Sequence, residues 1–171
     1  MIRLLIVLLS LVFMISYAYP ADFVLKSSSF ANNQRIPKLN TCDGGNVSPQ
    51  FSWEHAPAGA KSFVLVLQAT DWLPAKVYGW VLYNIPPTVT SLAQGANKKM
   101  PDGVLVGMNY YYESGYIGPC PPDKRTYHYT VTVYALDKTL DLSDEADADD
   151  VMSAMNGHII KQASYVGIYS H

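Results

Sequence analysis

The chain has 171 residues, a formal net charge of −2, 15% charged residues and 49% hydrophobic ones. That balance excludes a nucleic-acid binder, whose basic patch would show in the count, and it excludes long disorder, which goes with many charges and few aromatics. Thirteen tyrosines and eleven prolines point instead to β structure punctuated by rigid turns.

Met1-Ile2-Arg3 opens the chain with a positive charge, Leu4 to Ile15 runs apolar, and Ser16-Tyr17-Ala18 places small residues at −3 and −1. This is the pattern of a secretory signal peptide over residues 1–18, leaving a mature domain of residues 19–171. The apolar run falls short of the roughly 20 residues that span a bilayer. The expected location is therefore outside the cytoplasm, periplasmic or secreted. A mature part of this length suffices for one domain and can bury a core without a metal or a disulfide.

Asp22 to Lys26 reads as a short strand, and Phe51-Ser52-Trp53 as another before the Ala56-Pro57-Ala58-Gly59 turn. Ser62 to Leu67 is continuously apolar, as a strand buried on both faces would be. Tyr78 to Ile85 is a second such run, stopped by Pro86-Pro87. From Tyr127 to Leu136 the alternation is strict: Tyr127, Tyr129, Val131 and Val133 share one face, His128, Thr130, Thr132 and Tyr134 the other. Near the C-terminus Val151, Met155 and Ile159 recur every four residues, widened by Met152, Ala163 and Val166, which predicts one amphipathic helix carrying His158. Asp147, Asp149 and Asp150 suit its start and Gly167 its stop, while Gly157 inside it would cost about 1 kcal/mol relative to Ala. Many strands, many turns and one late helix make a mainly β fold.

The usual marks of catalysis are missing. There is no Gly-x-Ser-x-Gly elbow, no Gly-rich phosphate loop, and no close pairing among His55, His128, His158 and His171 of the kind that zinc sites use. The acidic run Asp141 to Asp150 lacks the order of a calcium loop. No enzyme activity, metal or cofactor is expected. The triplet Tyr110-Tyr111-Tyr112 would point its members both ways in a strand, so it gives no aromatic platform by itself.

Three segments then resemble one family. Thr41-Cys42-Asp43-Gly44-Gly45-Asn46-Val47-Ser48-Pro49 leads into Phe51-Ser52-Trp53; Gly79-Trp80-Val81-Leu82-Tyr83-Asn84-Ile85-Pro86 follows a buried strand; Gly115-Tyr116-Ile117-Gly118-Pro119-Cys120-Pro121-Pro122 precedes Tyr127-His128-Tyr129. In order and spacing they are similar to the bacterial Raf-kinase-inhibitor-like branch of the phosphatidylethanolamine-binding proteins, across the whole of residues 22–171. The resemblance implies an antiparallel Greek-key β-sandwich with a C-terminal helix and short helical turns. It also implies a small pocket for an anion or phospho-head group, walled by an Asp-Pro-Asp-x-Pro loop, a His-Trp pair, the Gly-x-x-Gly-Pro-Cys-Pro-Pro loop and a His-Arg-Tyr strand.

At those walls this sequence departs from the family. Anchored on Trp80, the Asp-Pro-Asp loop becomes Ala69-Thr70-Asp71, the His before Trp80 becomes Gly79, and His-Arg-Tyr becomes Tyr127-His128-Tyr129. Anchored instead on Pro74, Thr70 and Trp72 take the two Asp positions. Either way two imidazoles and at least one carboxylate are gone. The residues carried over as ligand-binding candidates are Ala69, Asp71, Gly79, Trp80, Gly118, Pro119, Tyr127 and Tyr129, with Asp71 open to a second reading as a turn cap. His128 falls on the other strand face. Cys42 and Cys120, each in a motif that resembles a loop near the pocket, are expected to form a disulfide in an oxidising compartment. The implied function is a non-enzymatic ligand-binding module with a degenerate anion site and weak affinity for a small anion or phospholipid head group. The alternative is a protein-interaction or inhibitor module on the same scaffold.

Overall fold

The computed structural model describes residues 21–72 and 75–171. The expected signal peptide, and the Pro74 anchor of the second alignment, lie outside the described residues. Nine strands form in chain order: β1 (Val24–Lys26), β2 (Gln34–Arg35), β3 (Phe51–Glu54), β4 (Ser62–Ala69), β5 (Val77–Ile85), β6 (Ser91–Leu92), β7 (Leu105–Val106), β8 (Tyr127–Leu136) and β9 (Ile159–Tyr169). One helix, α1 (Ala148–Ala154), lies between β8 and β9, and single turns of 3-10 helix span Lys38–Asn40 and Ala96–Lys98.

The strands make a small sheet, β1-β3-β6, and a large one, β2-β9-β8-β4-β5-β7. All pairings are antiparallel except β2 with β9, where Gln34 faces Gly167 and Arg35 faces Ile168 in parallel. β4 sits in the middle of the large sheet, and its unbroken apolar run serves two cores. Phe63, Leu65, Leu67 and Ala69 face the small sheet. Val64 and Val66 face the opposite way, toward α1 and the loops around Leu140 and Ala146. The layer order is small sheet, large sheet, helix and loops. Rings lock the first two layers: Trp53 packs edge-on to Phe63 at 5.5 Å, and Phe51 edge-on to Tyr165 at 6.3 Å. In β8 the alternation holds as read, with Tyr127, Tyr129, Val131 and Val133 buried and His128 exposed.

The C-terminal helix is much shorter than its stripe implies. Asp147 caps it, its Oδ1 accepting the Asp150 N–H at 2.8 Å, and Val151 and Met155 are fully buried. Gly157 then takes a left-handed φ of 80°, which ends the helix where only glycine does so cheaply. Ile159 to Tyr169 is the longest strand, not a helical face. The stripe was ambiguous because a spacing of four is also a multiple of two, so Val151, Met155, Ile159 and Ala163 fit either period. The β-branched and aromatic residues after Gln162 settle it, with Ala163, Tyr165, Gly167 and Tyr169 buried in alternation. His158 accordingly sits in the turn, its Nδ1 2.9 Å from Asp137 Oδ1.

Candidate functional site

The C-terminal end of β4, the start of β5, the start of β8 and the Gly115–Pro122 loop meet at one end of the large sheet's central strands. Strand register places them: Ala69 lies opposite Tyr129 on β8 and Val77 on β5, and Leu67 lies opposite Trp80. Between them is a narrow recess with about 10 Å³ of free space, room for about one water molecule. Ala69, Gly79, Gly118, Pro119 and Tyr129 line it, joined by Trp72, Tyr110 and Ile117, which sequence reasoning did not assign. Among the described residues, no Asp, Glu, Lys, Arg or His takes part in the lining.

The other three candidates lie elsewhere. Trp80 is fully buried behind the recess and lines a second cavity between the sheets. Tyr127 and Asp71 border a shallow, open hollow outside it, with Trp72, Pro122 and Arg125. The Tyr127 hydroxyl accepts from Arg125 Nη2 at 2.6 Å, while Arg125 Nε is 2.9 Å from Asp123 Oδ2. Asp71 Oδ2 accepts the backbone N–H of His128 at 2.8 Å and lies 2.8 Å from its Nδ1. Burial pushes the Asp71 carboxyl up, but the two His128 hydrogen bonds outweigh it and hold the pKa below the ordinary range. The carboxylate thus ties the end of β4 to β8 as a cap and does not line the recess.

Two glycines allow close approach of backbone, and this explains the residues found there. A Cβ on Gly79 would run into the Ile117 carbonyl, whose own amide donates to the Gly79 carbonyl at 2.8 Å. A Cβ on Gly118 would run into the Asn40 carbonyl. The loop is held there by Asn46 Oδ1, which accepts the Gly118 N–H at 2.7 Å, and by Tyr116, whose hydroxyl donates to the Asn40 carbonyl at 2.6 Å.

Trp72 Nε1 and, in the cavity behind, Trp80 Nε1 have no hydrogen-bond partner among the described residues, and the Tyr129 hydroxyl has only the Cys120 backbone close by, outside good hydrogen-bond geometry. Burial pushes the Tyr129 hydroxyl above the usual tyrosine range, the Cys120 backbone offsetting only part of it. It stays a neutral phenol at any physiological pH. Trp72 roofs the recess, edge-on to Tyr110 at 6.5 Å and to Tyr127 at 5.9 Å.

The far side of the same loop is built differently. Cys42 and Cys120 form a disulfide, Cα to Cα 5.3 Å. Asp43, next to the first cysteine, accepts the Tyr169 hydroxyl at 2.7 Å, and its Oδ2 lies 2.8 Å from His171 Nδ1. His171 Nε2 reaches the carbonyl of Pro121, next to the second cysteine, at 2.7 Å. With a carboxylate at one nitrogen and a carbonyl at the other, the ring is served best as an imidazolium donating from both. The Asp43 bond and then the Pro121 carbonyl raise the His171 pKa, while Tyr169 and His171 lower that of Asp43. Arg35 lies over the Tyr169 ring at 4.9 Å and donates to the Ser170 carbonyl at 2.7 Å. Nothing in the sequence pairs residue 171 with residue 43, so no pattern of spacing could have found this cluster.

A family model described as phosphatidylethanolamine-binding protein matches residues 26–170. The chain belongs to the phosphatidylethanolamine-binding protein family. Among its relatives are a UPF0098 protein of Methanothermobacter thermautotrophicus, 42% identical over 85% of this chain and 97% of that one. Another, from Aquifex aeolicus, is 41% identical over 84% of this chain and 85% of that one. Two solved structures share the fold. A phosphatidylethanolamine-binding protein homologue of Chlamydia trachomatis superposes with a TM-score of 0.79 at 34% identity, covering 87% of this chain and 97% of that one. The Escherichia coli protein YbcL gives 0.83 at 28%, covering 88% and 99%. As a phosphatidylethanolamine-binding-type module, the chain keeps the family's sandwich while the lining of its recess carries no charge. Among the described residues, no three His, Cys, Asp or Glu side chains come together to hold a metal, and no helix is long and apolar enough to cross a membrane.

Proposed function

We propose that this protein is an exported, non-enzymatic binding module of the phosphatidylethanolamine-binding type that has lost its preference for phospho-head groups. One observation carries the reading: among the described residues, the recess is lined without a single cationic or carboxylate side chain. An anion entering it would give up hydration for neutral donors only. Charge-assisted hydrogen bonds contribute roughly 1.5–3 kcal/mol each, so the absence of two lowers affinity by on the order of a hundredfold or more. Export is supported by the pattern of residues 1–18 and by a disulfide, which fits an oxidising compartment. Calorimetry with phosphoethanolamine, phosphate and acetate tests the ligand half: no binding tighter than the millimolar range is expected, and micromolar binding would overturn it. Intact-mass measurement of exported protein tests the other half, with a chain beginning at Tyr19 expected.

The interaction-module reading rests on a different observation. Asn109 Oδ1 accepts the Tyr111 N–H at 2.9 Å and lies 3.4 Å from the Glu113 N, holding Tyr111 and Tyr112 out at 58% and 81% exposure. A partner docked there would shield both rings from tetranitromethane; equal nitration in the exported, unpurified fraction and in the purified protein would remove this alternative.

A further inference from the structure

Beside the start of α1, a half-open hollow offers about 170 Å³ of free space. It lies between three segments: Lys76 and Tyr78 around the start of β5, Tyr110 and Tyr112 in the turn after β7, and Asp147 and Asp149 at α1. The backbone pins these segments together. The Tyr110 N–H donates to the Tyr78 carbonyl at 2.9 Å, and the Met108 N–H to the Ala146 carbonyl at 3.0 Å. Of the six residues only Tyr110 also lines the recess.

Two features set the chemistry of the hollow. The first is aromatic. Tyr78 is buried, and burial followed by the Asp149 charge pushes its hydroxyl above the usual tyrosine range, so the ring stays neutral. Tyr112 is its opposite, 81% exposed at a left-handed φ of 59°. A residue with a β-carbon seldom takes that conformation, and at such exposure no burial offsets its cost. Backbone outliers of this kind gather at functional sites. The second feature is charge. Asp147 and Asp149 line the hollow with Lys76, two carboxylates to one ammonium. Lys76 Nζ lies 3.8 Å from Asp149 Oδ1, both side chains well exposed, and solvent weakens such a pair. Asp147 uses Oδ1 to accept the Asp150 N–H. The surplus is negative, and the faces of tyrosine rings also attract cations, over about 6 Å.

We propose that this hollow is a second binding site, separate from the recess, for a small organic cation of the ammonium class. The alkyl groups of the cation lie against the three rings, and Asp149 and Asp147 meet its charge. A metal ion is served poorly, since among the described residues no three His, Cys, Asp or Glu side chains gather to hold one. A sugar is served poorly too, because the Asn109 amide is spent on its own turn: Oδ1 accepts the Tyr111 N–H at 2.9 Å, and Nδ2 lies 3.4 Å from the Gly115 carbonyl.

The disulfide-bonded protein is titrated with choline, with its uncharged isostere 3,3-dimethyl-1-butanol, and with glucose, while the tyrosine ring resonances are followed by NMR. Choline is expected to move Tyr78 and Tyr112 and to bind about tenfold tighter than the alcohol. Equal binding of the two, silence toward choline, or tighter binding of glucose would each overturn the site. Tyr112→Ala and Asp149→Asn change exposed side chains and should each weaken choline about fivefold. Lys76→Gln removes the competing ammonium and should strengthen it about threefold. Unmoved affinity in both of the first two variants, or weaker binding in the third, would also overturn the proposal. Once choline binds, vesicles of phosphatidylcholine separate the sources of the cation. Protein that sediments with them and is released by choline takes it as a lipid head group, whereas protein that stays in solution takes it as a free solute; both results uphold the site.

Discussion

The Gly115–Pro122 loop has two sides that solve opposite problems. Toward Asp43 and His171 every polar group named is used: disulfide, carboxylate, imidazole, phenol and carbonyl are all engaged. Toward the recess, Trp72 Nε1 has no hydrogen-bond partner among the described residues, and the Tyr129 hydroxyl has only the Cys120 backbone close by. A buried donor normally finds a partner, because the packing around it can relax to supply one. Here the wall's other side is held by the disulfide and the Asp43–His171 pair.

The comparison is broken most severely by opening the fixed side. For two cysteines separated by 78 positions, the chain-entropy model assigns the bond about 4–5 kcal/mol. Cys42→Ser with Cys120→Ser should lower stability to urea by an amount of that order and strip the Gly118 amide of hydrogen-exchange protection. Unchanged protection at Gly118 would show that the loop is fixed without the bond. Next in size is Gly79→Ala, which drives a methyl group into the Ile117 carbonyl. Overpacking of this kind costs roughly 1–3 kcal/mol, readable as a lower urea midpoint at unchanged slope.

Acid and base act more gently, at the His171 cluster. The folded pKa of His171 is raised, so its contribution to stability is complete below the unfolded value and disappears as pH rises through the folded one. Asp43 is lowered, so its contribution is present above the ordinary carboxylate range and disappears as pH falls through its folded value. Lys38 nearby favours the Asp43 carboxylate, and Arg35 lies over the Tyr169 ring. The fixed side should therefore be firmest in mildly acidic solution. An NMR titration of His171 checks this: Asp43→Asn should lower its pKa, and an unmoved pKa would dissociate the two groups. The smallest effect belongs to the unsatisfied side. Tyr129→Phe removes an orphan hydroxyl and should leave stability within about 1 kcal/mol of the original, on the favourable side if anything. A large loss would mean that the hydroxyl is bonded after all.

Most of the sheet could be read from the chain because β4, β5 and β8 carry unambiguous apolar runs or strict alternation. The end of the chain could not, since Val151, Met155, Ile159 and Ala163 satisfy two periods at once and only Gly157 separates them. Of the site, the strand-end and loop positions were legible through their motifs: Ala69, Gly79, Gly118, Pro119 and Tyr129 do meet. What the motifs could not convey is which way a side chain faces. Asp71 and Tyr127 face the outer hollow, and Trp72 fills the mouth from a stretch without periodicity. Nor could they show that Gly79 has no room for the imidazole which the resemblance places there. The loop carbonyl occupies that space, so the family's site is not one substitution away.

Arg35 and Ser170 are bonded across 135 positions, and beside them β2 lies in parallel against β9, near the opposite end of the chain. During synthesis the early strand has no neighbour to join until almost everything else has been made. The β2 border of the large sheet closes only once β9 is in place. Non-local pairings of this kind form slowly, and an unpaired strand is a site for association with other chains while it waits. Until β9 pairs with it, the β8 edge stays open to other strands.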